Sequence, residues 1–98
     1  MFIVGVLNQR LVATAMVGYE GHRGWVNYLA VAPEHQGKGF GRAIMIEAEK
    51  LLTEAGCPKV NVQVRGTNAV AIQFYERIGY RIDDVVGLGK RIEDDGEG

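Results

Sequence analysis

Val31-Ala32-Pro33-Glu34-His35-Gln36-Gly37-Lys38-Gly39-Phe40-Gly41-Arg42-Ala43-Ile44 joins an apolar strand to an amphipathic helix, and the rest of the chain reads outward from it. Gly37, Gly39 and Gly41 fall at alternate positions in the joint. Without a Cβ, such residues adopt left-handed or tightly curved backbone and leave their amides open to a ligand. Successive N–H groups then converge on one point, and the helix that follows adds its unpaired first-turn donors and the positive end of its dipole. The joint is therefore a seat for phosphate oxygens, with Lys38 and Arg42 adding charge around it.

Spacing separates this loop from its look-alikes. A dinucleotide fingerprint needs a third glycine where Arg42 stands, and a nucleoside-triphosphatase loop needs Gly-Lys followed by Ser or Thr. Neither is present.

Upstream, Phe2 to Leu7 and Leu11 to Tyr19 are rich in β-branched and apolar residues and flank the polar turn Asn8-Gln9-Arg10, so they read as a hairpin. Glu20 to Gly24 is a second turn. Trp25 to Ala32 is a third strand, which Pro33 ends because it has no N–H for a continuing ladder. Downstream, apolar residues at 40, 44, 48, 51, 52 and 55 form a helical stripe. Gly56 stands where a C-terminal cap belongs, and Val60 to Val64 alternates as a strand. A strand-helix-strand crossover makes its two strands parallel neighbours. Asn68 is a suitable N-cap for a second helix with Ala71, Phe74, Tyr75 and Ile78 on its apolar face, ended by Gly79. Tyr80 to Val86 and Leu88 to Ile92 read as a closing hairpin around Gly87.

The expected order is β-β-β-α-β-α-β-β, an α/β fold of the mixed-sheet (α+β) kind. Residues 1–92 form one domain in this reading, and the acidic stretch 93–98 a disordered tail. With 47% hydrophobic residues, 98 residues suffice for a modest core. A net charge of −1 with dispersed basic residues gives no footprint for nucleic acid. No apolar run is long enough to span a bilayer, and the start has no basic leader, so the expected location is cytoplasmic. The single cysteine, Cys57, fits a reducing compartment and reads as a small buried apolar residue.

Two motifs together resemble the GNAT family of N-acetyltransferases. Gln36-x-x-Gly39-x-Gly41 is similar to that family's coenzyme A pyrophosphate loop. The segment Asn68-Ala69-Val70-Ala71-Ile72-Gln73-Phe74-Tyr75-Glu76-Arg77-Ile78-Gly79-Tyr80 resembles its Asn-x-x-Ala-x-x-Phe-Tyr-x-x-x-Gly-Phe/Tyr block. Each opens a helix after a strand, in the family's order. The resemblance implies an acetyl-CoA-dependent enzyme that acetylates a primary amine by direct attack, with no metal. The family ordinarily opens with one more strand and two helices ahead of such a hairpin, elements that cover part of the sheet and wall the acceptor site, and this chain is expected to be a short form that lacks them. A chain of this form is expected to expose its first strand; it then reads as a natural short form that associates as a homodimer, a chain completed by a partner protein, or a truncated gene, with the homodimer the expected state.

The resemblance assigns roles to residues. Gln36, Gly37, Lys38, Gly39, Phe40, Gly41 and Arg42 would surround the pyrophosphate, Leu29 and Val31 would pair with the pantetheine arm and supply the oxyanion donor, and Asn68 would touch the cofactor as well as cap its helix. Tyr75 matches the general acid that protonates the leaving thiolate; read from the residues alone, it is a core aromatic on a stripe. Phe74 reads as core. The base is less defined: the matching glutamate of some relatives is Gln63 here, which cannot take the ammonium proton. Glu20 and His22 are the remaining candidates, acting through water, and each also reads as a solvated turn residue. His35 stands beside the loop, either on a phosphate or in solvent. The alternative function is a non-catalytic acyl-CoA-binding or dimerisation module of the same fold.

Overall fold

The computed structural model describes residues 1–21 and 23–93. β1 (Phe2–Leu7) and β2 (Arg10–Glu20) form an antiparallel hairpin. Asn8 and Gln9 make its turn alone, with φ of 51° and 66°. Two left-handed residues in succession give the backbone twist that suits the flanking strands. β3 (Arg23–Val31) pairs antiparallel with β2, and a 3₁₀ turn at Pro33–His35 leads into α1 (Phe40–Glu54). The chain returns as β4 (Lys59–Val62), parallel to β3 as the crossover requires, and continues into α2 (Ala69–Arg77). The sheet order is β1-β2-β3-β4.

α1 lies across one face of the sheet. Its buried side chains Ile44, Met45, Ala48 and Leu52 meet Val12, Ala13, Ala15, Val17, Val26 and Cys57 in the core. Met45, absent from the expected stripe, is only 1% exposed, whereas Ala55 is the exposed C-cap and Gly56 follows it at φ 89°. Val12 and Ala13 are buried in succession, against strict alternation. The register explains it: Gly5 faces Ala13 and Val6 faces Leu11, so Val12 is an extra residue in a bulge. On β1, Ile3 packs on the core while Phe2 and Val4 are exposed. The face opposite α1 is therefore apolar and open at that end of the sheet.

The two expected closing strands do not form. Among the described residues no strand follows β4, which also stops at Val62 and leaves Gln63 and Val64 outside the sheet. Side chains hold the start of this segment elsewhere. The Tyr80 hydroxyl donates to Glu49 Oε2 at 2.6 Å, the Tyr80 ring packs edge-on to Tyr75, and Lys59 Nζ donates to Asp83 Oδ1 at 2.7 Å. The chain bends at Asp84, and Ile82, Val85, Val86, Leu88 and Ile92 stay at least 77% exposed. Of the expected tail, Glu93 is exposed and 94–98 lie outside the described residues. No helix among the described residues is long and apolar enough to cross a membrane.

Candidate active site

Gly37 and Gly39 hold the left-handed backbone that the turn requires, at φ 78° and 87°. Gly39 is the N-cap of α1, and no side chain caps that end. The first-turn N–H groups therefore lack side-chain partners and point where an anion would sit. A Cβ built on either glycine meets nothing within 4 Å, so space lies open above the turn and backbone strain alone selects glycine. An L-residue there costs on the order of 1–2 kcal/mol. Lys38 and Arg42 flank the turn and are exposed.

Other residues of the joint build it rather than line it. Gly41 belongs to the first turn of α1, and a Cβ on it would stand 3.2 Å from Phe74 Cζ and 3.7 Å from Val31 Cγ2. Its glycine is a packing requirement that brings α2 against α1. Gln36 Nε2 donates to Val31 O at 3.1 Å and ties the end of β3 to the turn. Phe40 meets His35 edge-on at 5.5 Å, and His35 Nδ1 is buried without a partner. His35 thus packs against the turn instead of facing solvent.

β3 and β4 pair only from Arg23↔Lys59 to Val26↔Val62. From Asn27 to Val31 β3 runs on without β4, so its edge on that side is open up to the glycine turn. A bulge sits where the strands part. Thr14 faces Ala30 and Met16 faces Asn27, leaving Tyr28 and Leu29 opposite Ala15 alone. Tyr28 has φ 56° and is 79% exposed. The expected strand had no such feature, yet the residues carry a signal: Val26, Leu29 and Val31 all pack into or against the core, and the odd step from 26 to 29 breaks the period of two.

α2 supplies the opposite wall. Asn68 Oδ1 accepts from Ala71 N at 3.1 Å, the expected N-cap. Phe74 covers Gly41, and Tyr75 next to it is half-buried, with ring contacts to Phe74 at 5.1 Å and Tyr80 at 5.6 Å. Burial raises the Tyr75 phenol above its ordinary value, so it holds its proton at neutral pH. Its hydroxyl has no hydrogen-bond partner among the described residues. Between α1 and the end of α2, Arg42, Met45, Ile46, Glu49, Arg77, Ile78 and Gly79 line a cleft of about 380 Å³.

Gly41 stands against Phe74 and Val31, which joins the turn at 36–42 to the end of β3 that carries Leu29 and to α2, where Tyr75 follows Phe74 and Asn68 caps the first turn. Glu20 is not among them. It pairs with Arg23 at the far end of β3, and the six steps from Arg23 to Leu29 span roughly 20 Å. That separation sets Glu20 apart from the glycine turn. His22 lies outside the described residues. Gln63 follows the end of β4 and is exposed.

The sequence model of the acetyltransferase (GNAT) family matches residues 1–80. An acetyltransferase from Yersinia pestis (strain Pestoides F) is 42% identical over 92 residues, 94% of this chain and 65% of the relative. Nourseothricin acetyltransferase is 38% identical at a TM-score of 0.70, over 74% of this chain and 44% of its own. The fold is also that of the PaiA N-acetyltransferase from Thermoplasma acidophilum, solved with coenzyme A, at a TM-score of 0.82 and 23% identity over 89% of this chain and 55% of that one. The chain thus spans less than two thirds of these relatives' length. A glycine turn capping α1, a β3 that parts from β4 and a family match over four fifths of the sequence agree: this chain belongs to the GNAT family of acetyltransferases.

Proposed function

We propose that residues 1–92 act as one unit, an acetyl-CoA-dependent N-acetyltransferase working on a primary amine. The observation that carries this reading is the open edge of β3 from Asn27 to Val31, which leads directly into uncapped amides at Gly37 and Gly39. An extended ligand bearing amides pairs with such an edge as an added strand does, and its phosphates end on the turn. When bound, acetyl-CoA supplies the thioester whose acetyl group passes to the amine while the thiol departs. The chain's part is to position and to move protons. The amides at 37–41 take the diphosphate, with Lys38 and Arg42 balancing its charge. The backbone of Leu29 and Val31 aligns the arm, and an N–H there stabilises the developing oxyanion. Asn68 contributes its side-chain amide while capping α2. Tyr75, protonated and free of partners, gives its proton to the leaving sulfur.

A second reading has its own support. Neither a carboxylate nor an imidazole partners the Tyr75 hydroxyl among the described residues, and Gln63 cannot serve as a base. A non-catalytic acyl-CoA-binding module fits those facts. Melting the protein with and without saturating acetyl-CoA, followed by turnover assays on primary amines, separates the two. Binding at a hundredfold excess over Kd stabilises the native state by about 3 kcal/mol in both readings. Acetylated product appears only in the first, and an unchanged melting temperature removes both. The buried Cys57 fits a reducing compartment, the cytoplasm in this reading.

A further inference from the structure

Tyr28 holds a backbone conformation that its side chain disfavours. Among the described residues, Asn8, Gln9 and Tyr28 are the non-glycine residues at positive φ. The hairpin turn between β1 and β2 requires the first two. Tyr28, at φ 56°, sits instead in the bulge of β3, a place that glycine fills without a Cβ clash. A bulky residue there is strained, and the fold gains little packing from it, since the side chain is 79% exposed. Neither packing nor backbone conformation accounts for an aromatic ring at this point. The surroundings of the ring are equally specific. A Cβ on Gly24 would meet Leu52, so Gly24 and Val26 face α1, and Phe74, Tyr75 and Ile78 bring α2 against the same core. Alternation then puts Trp25 and Asn27 on the opposite face, where the Trp25 indole lies over Gly18 and leaves no room for a Cβ there. The strands around the place where β4 leaves β3 carry no charge: residues 11–19, 24–33 and 60–64 include no Asp, Glu, Lys or Arg.

We propose that Tyr28 is a specificity-determining residue for the acceptor, its ring contacting the body of the amine, and that this body is uncharged and apolar or aromatic. The inference rests on the acetyl-transfer reading and names its substrate class. That reading sets the donor's arm along β3 between Asn27 and Val31, with α1 and α2 together on one face of the sheet. The opposite face is then the amine's way in, and Tyr28 stands beside Leu29 on that stretch. A phenol ring held out by the bulge stacks on an aromatic or apolar group. A polycationic acceptor needs carboxylates to match its further charges, and these strands offer it none. Glu20, the nearest acidic residue along β2, pairs with Arg23 at the other end of β3.

Thiol release by the full chain, measured over a panel of primary amines with alkyl, aromatic and polycationic bodies, tests this assignment. The value of kcat/KM for 2-phenylethylamine should exceed that for spermidine on the order of tenfold or more. Tyr28→Gly should raise KM for 2-phenylethylamine about tenfold and abolish the preference, whereas Tyr28→Phe, which keeps the ring, should retain both. Calorimetric Kd values for acetyl-CoA should stay within about twofold in both variants, and Tyr28→Gly should melt at or above the wild-type temperature because glycine relieves the left-handed backbone. A wild type that acetylates amines but prefers spermidine overturns this inference alone, as does a preference that survives Tyr28→Gly. Tyr28→Gly melting below the wild type would show that the ring serves the fold, and overturns it as well. A wild type that binds acetyl-CoA and acetylates nothing in the panel removes the transfer reading and this inference with it.

Discussion

The Phe74 ring lies so close over Gly41 that a Cβ on the glycine would stand 3.2 Å from Phe74 Cζ. This contact sets the position of α2, and with it Tyr75, against the first turn of α1. Gly41→Ala gains helix propensity of roughly 1 kcal/mol and loses a similar amount to the tight contact, so its stability should stay near the wild type. Gly41→Val should lose about 1–3 kcal/mol in urea unfolding and weaken acetyl-CoA binding, because α2 must move away. A Gly41→Val protein as stable as the wild type would show that the contact does not matter.

Gly39 is selected by backbone conformation rather than space. Gly39→Val should cost about 1–2 kcal/mol through its left-handed φ while far-ultraviolet circular dichroism stays native. Calorimetric titration should then show acetyl-CoA binding abolished. Gly39→Asn, a residue that accepts this conformation and suits an N-cap, should recover most of the stability.

Tyr80 ties the end of α2 to α1 through Glu49. Its phenol is raised far above the ordinary value, by burial first and then by the hydrogen bond and charge of Glu49. Tyr80→Phe should cost about 1.5–3 kcal/mol at pH 7, the range for a hydrogen bond to a charged group. The sign of the pH dependence follows from the raised value. Above an unfolded-state value of about 10, the unfolded chain releases a proton that the native state still holds, so stability falls as pH rises from there. Stability measured between pH 8 and 11 should therefore decline more steeply in the wild type than in Tyr80→Phe.

Much of this site was legible in the residues. The alternate glycines, the N-cap at Asn68 and the stripe on α1 are local patterns, and each formed near where its spacing placed it, the stripe gaining Met45 and losing Ala55. The bulge at Tyr28 escaped because alternation was read as continuous, although the step from Val26 to Leu29 marks it. Gly41 looked like part of the phosphate turn because its contact, Phe74, lies 33 positions away in sequence, and no local pattern reports such a neighbour. The closing hairpin failed for a related reason. A period of two says that residues 80–92 favour a partner along one face, but not which edge provides it. The link of Tyr80 to Glu49 and of Asp83 to Lys59 depends on side chains that meet only after folding.

Tyr75→Phe tests the proton donor. The ring contacts to Phe74 and Tyr80 survive the change, so stability and acetyl-CoA affinity should stay within about twofold of the wild type. The acetylation rate should fall by roughly 10²–10⁴, the usual weight of a general acid. Unchanged turnover in a stopped assay of thiol release would remove Tyr75 from the chemistry.

The most direct test of the central claim is an amide-resolved nuclear magnetic resonance titration of the full chain with acetyl-CoA. The account predicts saturable shifts at Gly37, Gly39 and the first turn of α1, together with Leu29 and Val31 on the open edge of β3. Saturable binding that leaves those amides unmoved, or no binding by a folded protein, would contradict it.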